Sequence, residues 1–189
     1  MDANSIAETM KLLIDHGANV AAQDETHSTP LHLAAFWCNI EAVRLLIEHG
    51  DDVTAQDGNH RTPLHLALSR VSVETTILDS SKADVNEQDE GHKTIFYWSH
   101  FQNQVFTVIF LIRHGADVTA RDDTHSTPLH IASSKESTIF VDLLIRHGAD
   151  VNAQNRDKST PLHTAASSRL ALEGTVVRLL LRHGANVDA

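Results

Sequence analysis

The sequence predicts an all-α solenoid in which one helix–loop–helix–finger unit is stacked repeatedly. The tetrad Thr-Pro-Leu-His recurs four times in the 189 residues, beginning at Thr29, Thr62, Thr127 and Thr160. A degraded copy begins at Thr94, so that successive threonines lie 33, 32, 33 and 33 residues apart. A fixed period of this length is typical of small units that bury their apolar faces only against their neighbours.

Each unit is predicted to contain two short helices. Thr29 followed by Pro30 is the pattern of an N-cap with proline at the first helical position, which predicts a first helix up to Trp37. A second helix is predicted from Asn39 to His49, where apolar residues recur at three- and four-residue spacing. Gly50 is suited to the left-handed position after a helix, and the chain then returns as an extended finger to the next tetrad.

Composition narrows the class of protein. A formal net charge of −10 argues against phosphate-backbone binding and favours a protein partner with a basic segment. No apolar run approaches the ~18 residues that cross a bilayer, and the first residues lack the features of a signal peptide. The single cysteine, Cys38, cannot form an internal disulfide. We therefore expect a soluble protein of the cytoplasm or nucleus that binds neither nucleic acid nor membrane.

Several features locked to this period resemble the ankyrin repeat. Besides the tetrad, the units carry a nearby alanine (Ala34, Ala67, Ala132, Ala165), a leucine-rich second helix and a His-Gly step. The resemblance covers nearly the whole chain, and it implies one array over residues 1–189. We expect a partial first unit at about 1–20, full units at about 21–53, 54–85, 86–118 and 119–151, and a last unit at about 152–189. The array is expected to be a monomer.

The fourteen histidines fall mostly into rows set by the repeat. For His32, His65, His130 and His163 of the tetrads, the resemblance implies a structural hydrogen bond between first helix and finger. A second row, including His49 and His114, precedes glycine and is predicted to cap helix C-termini. A third row, at His27, His60, His92 and His125, stands where the ankyrin pattern usually has glycine. These residues are expected to have positive φ, and their parallel side chains argue against a metal site.

Candidate binding residues are sought where the units differ from one another. On the groove that the resemblance assigns to the first helices, the candidates are Phe36, Trp37, Ser69, Arg70, Trp98 and Phe101. Aromatic residues and arginine dominate interface hot spots, which favours a binding patch. The alternative is that these aromatics fill gaps between irregular units.

On the fingers, the candidates are Glu25, His27, His60, Glu90, His92, Asp123 and His125. Their acidic members could attract a basic partner segment, or they could simply form a solvated ridge.

Two units depart from the regular length or sequence. In the second unit Thr75 and Thr76 replace better helix formers and Lys82 replaces the terminal glycine, which predicts a weakly protected segment at 75–83. The last unit is three residues longer than the first full one, and the extra residues are predicted to lie between its helices.

No catalytic motif is found, so we expect no enzyme activity and no cofactor. The resemblance implies a protein–protein interaction scaffold that binds through groove and fingers. The alternatives are an architectural segment of a larger protein and, less favoured, a repeat protein that binds a small molecule or metal. Asn86 and Asn152 match a finger pattern seen where ankyrin repeats are hydroxylated, although Asp-Val-Asn is also common finger sequence.

Overall fold

The computed structural model describes residues 3–70, 95–168 and 174–188, without the side chains of 95–102 and of a few residues near the N terminus. The described residues form helices joined by turns and extended fingers, and they contain no β-strand. The helices are α1 Ala3–Asp15, α2 Pro30–Phe36, α3 Ile40–Glu48, α4 Pro63–Ser69, α5 Ile95–Arg113, α6 Pro128–Ser134, α7 Thr138–Arg146, α8 Pro161–Ala166 and α9 Thr175–Arg182. The all-α prediction is confirmed.

The helices form two rows. The first helices α2, α4, α6 and α8 pack on one another in that order, and each also packs on a second helix: α3, α5, α7 and α9 respectively. We call such a pair a layer. The tetrad leucines Leu31, Leu64 and Leu129 are fully buried between layers. Burial of one leucine side chain contributes ~1.5–3 kcal/mol, so the repeated position holds successive layers together.

The tetrad begins each first helix as predicted. The backbone N–H of Thr29 donates to Nδ1 of His32 at 3.1 Å, and the threonine hydroxyl lies 3.0 Å from the same nitrogen. Pro30 follows as the first helical residue, and Trp37 is the C-cap. The second helix starts after Asn39, whose side chain accepts from the N–H of Ala42 at 3.2 Å. Both helices are slightly shorter than predicted because their end residues serve as caps.

The tetrad histidines link the layers. Nε2 of His32 donates to the carbonyl of Arg61 at 2.9 Å, and Nε2 of His130 donates to the carbonyl of Ser159 at 3.0 Å. Each acceptor lies 29 residues further along, on the finger of the next layer. Burial lowers the pKa of both imidazoles, so the neutral tautomer that makes these bonds is favoured. The predicted structural role of these tetrad histidines is confirmed.

The second layer contacts a finger that lies about two periods further along the sequence. Nε2 of His65 donates to the carbonyl of Ser126 at 3.3 Å, 61 residues away. The backbone N–H of Asp123 donates to the carbonyl of Asn59 at 2.9 Å. The same finger-to-finger bond joins Arg156 to Thr124 at 2.9 Å, where the separation is 32 residues. The unit of Thr62 therefore stacks directly on the unit of Thr127.

Helix α5 completes this layer. Nε2 of Gln104 donates to the carbonyl of Ala67 at 2.9 Å. In the first layer the equivalent carbonyl, that of Ala34, accepts from the backbone N–H of Asn39 at 3.0 Å. Because the chain does not pass directly from α4 to α5, a side-chain amide makes the bond that backbone makes elsewhere. The C-terminal half of α5 is thus the second helix that pairs with α4.

The region after Thr94 differs from the helix–loop–helix expected there. Ile95 replaces the tetrad proline and no glycine or proline follows up to Arg113, so one helix continues through the expected loop. The boundaries 54–85 and 86–118 stay predictions, because residues 71–94 lie outside the described part. The segment 75–83, predicted to be weakly protected, lies there too. The extra residues of the last unit do fall between α8 and α9, as predicted.

Candidate partner-binding surface

The C-terminal end of α2 carries a pair of aromatic residues, one of them exposed. Phe36 is the last residue of α2 and Trp37 is its C-cap, so both rings lie at the C-terminal end of this first helix. Their centroids are 5.3 Å apart at an interplanar angle of 83°, an edge-to-face arrangement that aromatic pairs prefer. Phe36 is half-buried, whereas the side chain of Trp37 is 63% exposed.

Arg70 of the next layer covers this pair. Its Cζ lies 4.6 Å from the centroid of Trp37 and 5.1 Å from that of Phe36, which is cation–π geometry with both rings. Arg70 is the C-cap of α4, one layer from the C-cap Trp37. Beside it, the hydroxyl of Ser69 donates to the carbonyl of Leu66 at 2.8 Å and closes the helix end. The structure therefore brings together four of the six groove residues predicted from sequence.

Trp98 and Phe101 do not take the place expected for them. From the sequence they are expected on the groove of the first helices, but they lie in the N-terminal half of α5, which continues into the second helix of its layer. Their side chains are outside the described residues, so a patch that joins them to Trp37 remains untested. Within the described residues 95–113 no separate first helix is present, because α5 has no break where the other units have a loop.

Two neighbours of the patch were missed. Leu33, one turn before Trp37 on α2, is an exposed large apolar side chain. Lys135 is the C-cap of α6 and stands eight residues after its tetrad threonine, as Trp37 and Arg70 stand after theirs. Reading the eighth position of every unit would have found Lys135.

The finger residues that are described lie on the surface. His27, His60 and His125 are exposed and have φ of 59°, 58° and 62°, which confirms the expected positive φ. Lys158 continues this row with φ of 60°. Nδ1 of His60 lies 3.2 Å from Oε1 of Gln56, so this imidazole is held within its own finger.

The acidic finger residues divide into two groups. Oδ1 of Asp24 accepts from the N–H of Thr26 at 2.8 Å and from the N–H of Ser28 at 3.0 Å, and these bonds shape the turn. Hydrogen bonds from Thr26 and Ser28 lower the pKa of Asp24. Glu25 and Asp123 are exposed, and their side chains make no hydrogen bond or ion pair within the described ranges. Glu90 and His92 lie outside the described residues.

Cys38 and Asn152 are held by burial or by hydrogen bonds within the array. Cys38 is buried, and burial raises the pKa of its thiol to about 11, which keeps it protonated at neutral pH. Asn152 accepts from the N–H of Asn186 at 2.8 Å and donates to the carbonyl of Gly184 at 3.2 Å. Within residues 3–70, 95–168 and 174–188, no three His, Cys, Asp or Glu side chains are grouped to hold a metal ion.

Comparison with known families identifies the fold. Residues 2–57 and 95–189 match the family model for ankyrin repeats (3 copies), which is well over half of the chain. The chain therefore belongs to the ankyrin repeat family, whose members generally mediate protein–protein interaction and are typically not enzymes. None of the curated proteins compared with the chain matches it. In the part of the chain that is described, no helix is both long and apolar enough to cross a membrane.

Proposed function

We propose that this protein is a non-catalytic scaffold that recognises another protein through its first-helix face and its fingers. The observation that carries the proposal is the cluster of the exposed Trp37 with the half-buried Phe36 and Arg70. A tryptophan that is 63% exposed contributes little to the stack, and its placement beside an arginine is typical of interface hot spots. Leu33 is a second exposed apolar side chain on the same helix, and exposed apolar patches often mark interaction sites.

The fingers supply a second contact region in this proposal. Glu25 and Asp123 are exposed carboxylates on a chain of net charge −10, which would attract a basic segment of the partner, whereas an apolar segment would contact the exposed Trp37 and Leu33. The protein would act as a monomer in the cytoplasm or nucleus, where its one cysteine stays reduced. No cofactor enters the proposal.

Affinity capture from the native cell tests the proposal when two variants are compared. Trp37→Ala removes the exposed indole of the first-helix face, and Phe106→Ala removes an exposed aromatic ring of the second-helix row. Exposed substitutions usually change stability by only ~0.5 kcal/mol, whereas loss of a hot-spot residue costs ~2 kcal/mol of binding free energy. We expect partners retained by the intact protein and by Phe106→Ala to be lost from Trp37→Ala. Equal retention by all three proteins would contradict the proposed face.

A further inference from the structure

We propose that the segment bound on the first-helix face is acidic, and that it lies across Trp37, Arg70 and Lys135. We call these three residues the cap row, because each is the C-cap of a first helix. The inference rests on the proposed protein-binding function and adds the chemistry of the partner. It concerns a different surface from the acidic fingers.

The cap row exists because of the unusual stacking. Arg70 and Lys135 are 65 residues apart, which the sequence period would place two layers apart. In the structure α4 packs directly on α6, and the bond from His65 to Ser126 fixes that contact. Two positive charges are therefore brought to the same position of adjacent helices, beside Trp37 on α2.

The charge of this face is opposite to that of the protein. The chain has 25 acidic residues, yet residues 30–37, 63–70, 128–135 and 161–168 contain none. Arg70 and Lys135 form no ion pair with any described residue. The adjacent carboxyl, Glu136, is only 3% exposed and lies against the backbone of Val176. Within residues 3–70, 95–168 and 174–188, no neighbouring carboxylate neutralises the two positive charges of the cap row.

The geometry suits carboxylates on an extended peptide better than the phosphates of a nucleic acid. The contacts to Phe36 and Trp37 hold the guanidinium of Arg70 in place, and a planar guanidinium can bind a carboxylate with two parallel hydrogen bonds. Leu33 and Trp37 offer apolar surface one helical turn apart for an intervening apolar side chain. Two charges are few for a nucleic-acid site, which typically uses about six to ten phosphate contacts.

Selection from a displayed library of random 12-residue peptides on the full-length protein tests this chemistry. We expect the enriched peptides to carry net negative charge together with at least one large apolar residue. A labelled synthetic copy of the most enriched peptide is then titrated against variants by fluorescence anisotropy. Arg70→Ser and Lys135→Ser are suitable changes, because Ser168 occupies the same position in the last layer. Arg113→Ser, at the exposed end of α5 in the second-helix row, is the matched control.

The expected result is about 5- to 30-fold weaker binding for each cap-row variant, which corresponds to loss of one charge-assisted contact, and less than a twofold change for the control. Binding should weaken as salt rises, and a 20-base-pair DNA duplex should not compete. Neutral or basic peptides, or binding insensitive to both cap-row changes, would overturn the inference and leave a protein-binding function standing. Competition by the duplex would also overturn it, in favour of nucleic acid. A selection that enriches no peptide would count against the proposed function itself.

Discussion

Asp51 provides the sharpest test of the energetics of the array. It is only 5% exposed, and neither oxygen of its carboxyl accepts a hydrogen bond. The residue after the same glycine is alanine elsewhere: Ala18, Ala116, Ala149 and Ala185. Burial raises the pKa of Asp51 from 3.8 to about 6, against the opposing effect of the nearby N–H groups of Asp52 and Leu31. Asp51 therefore buries a carboxyl at a position where the equivalent residue in the other units is alanine.

The sign and size of the effect follow from this pKa. The pKa of Asp51 is higher in the folded state than in the unfolded state. Protonation of this carboxyl therefore stabilises the fold fully below pH 3.8, and that stabilisation is lost as pH rises through about 6. A shift of about two units corresponds to ~3 kcal/mol at pH 7.5, where the carboxylate is charged in both states. Asp51→Ala should therefore stabilise the protein at pH 7.5, and its benefit should be ~2 kcal/mol smaller at pH 4.5.

Urea unfolding followed by circular dichroism at the two pH values measures this difference. Asp123→Ala, which removes an exposed carboxylate, is the control and should give the same small change at both pH values. The reasoning is refuted if Asp51→Ala destabilises the protein at pH 7.5. It is also refuted if the change in unfolding free energy is equal at pH 7.5 and pH 4.5.

Two further predictions concern the contacts between layers. Gln104→Ala should lower the free energy of unfolding by ~1–3 kcal/mol, because it leaves the carbonyl of Ala67 without its donor, while Asn103→Ala should have little effect; urea unfolding distinguishes them. In the Asp51→Ala background, stability should fall as pH drops below 6.5. Burial lowers the pKa of His32, His65 and His130, so the unfolded state binds more protons than the folded state in this range. Stability that stays constant to pH 5.5 would contradict this.

Local features were predictable because each depends on a few neighbouring residues. Thr29 and Pro30 specify a helix start by cap chemistry, and the histidines with positive φ follow from a position that usually has glycine. The contact of Arg70 with the aromatic pair was also expected, because it joins equivalent positions of successive units. The first two features do not depend on how the units are ordered in space, and the third requires only that α4 packs on α2.

The order of the layers was not predictable from the period alone. Thr94 keeps the spacing of a tetrad, but Ile95 stands in place of the proline that starts a first helix. No glycine or proline ends α5 before Arg113. His65 hydrogen-bonds the carbonyl of Ser126, 61 residues further along the chain. The sequence period alone does not decide between this finger and the one a single period after Thr62. For the same reason Lys135 was not recognised as a neighbour of Arg70.

The measurement that tests the central claim most directly is the distance between the fingers of the second and third layers. Nitroxide labels at Asn59→Cys and Asp123→Cys report it, because the N–H of Asp123 donates to the carbonyl of Asn59. The pair Thr124→Cys and Arg156→Cys is the reference, since it has the same backbone bond at 2.9 Å. Cys38 is only 1% exposed and should not take up label.

Dipolar broadening in continuous-wave electron paramagnetic resonance spectra should give the same inter-spin distance for the two pairs. That result would mean that the units of Thr62 and Thr127 are direct neighbours and that the cap row is continuous. A distance for the Asn59–Asp123 pair that is longer by one layer of packed helices, about 8–10 Å, would contradict the account. It would place another unit between Arg70 and Lys135.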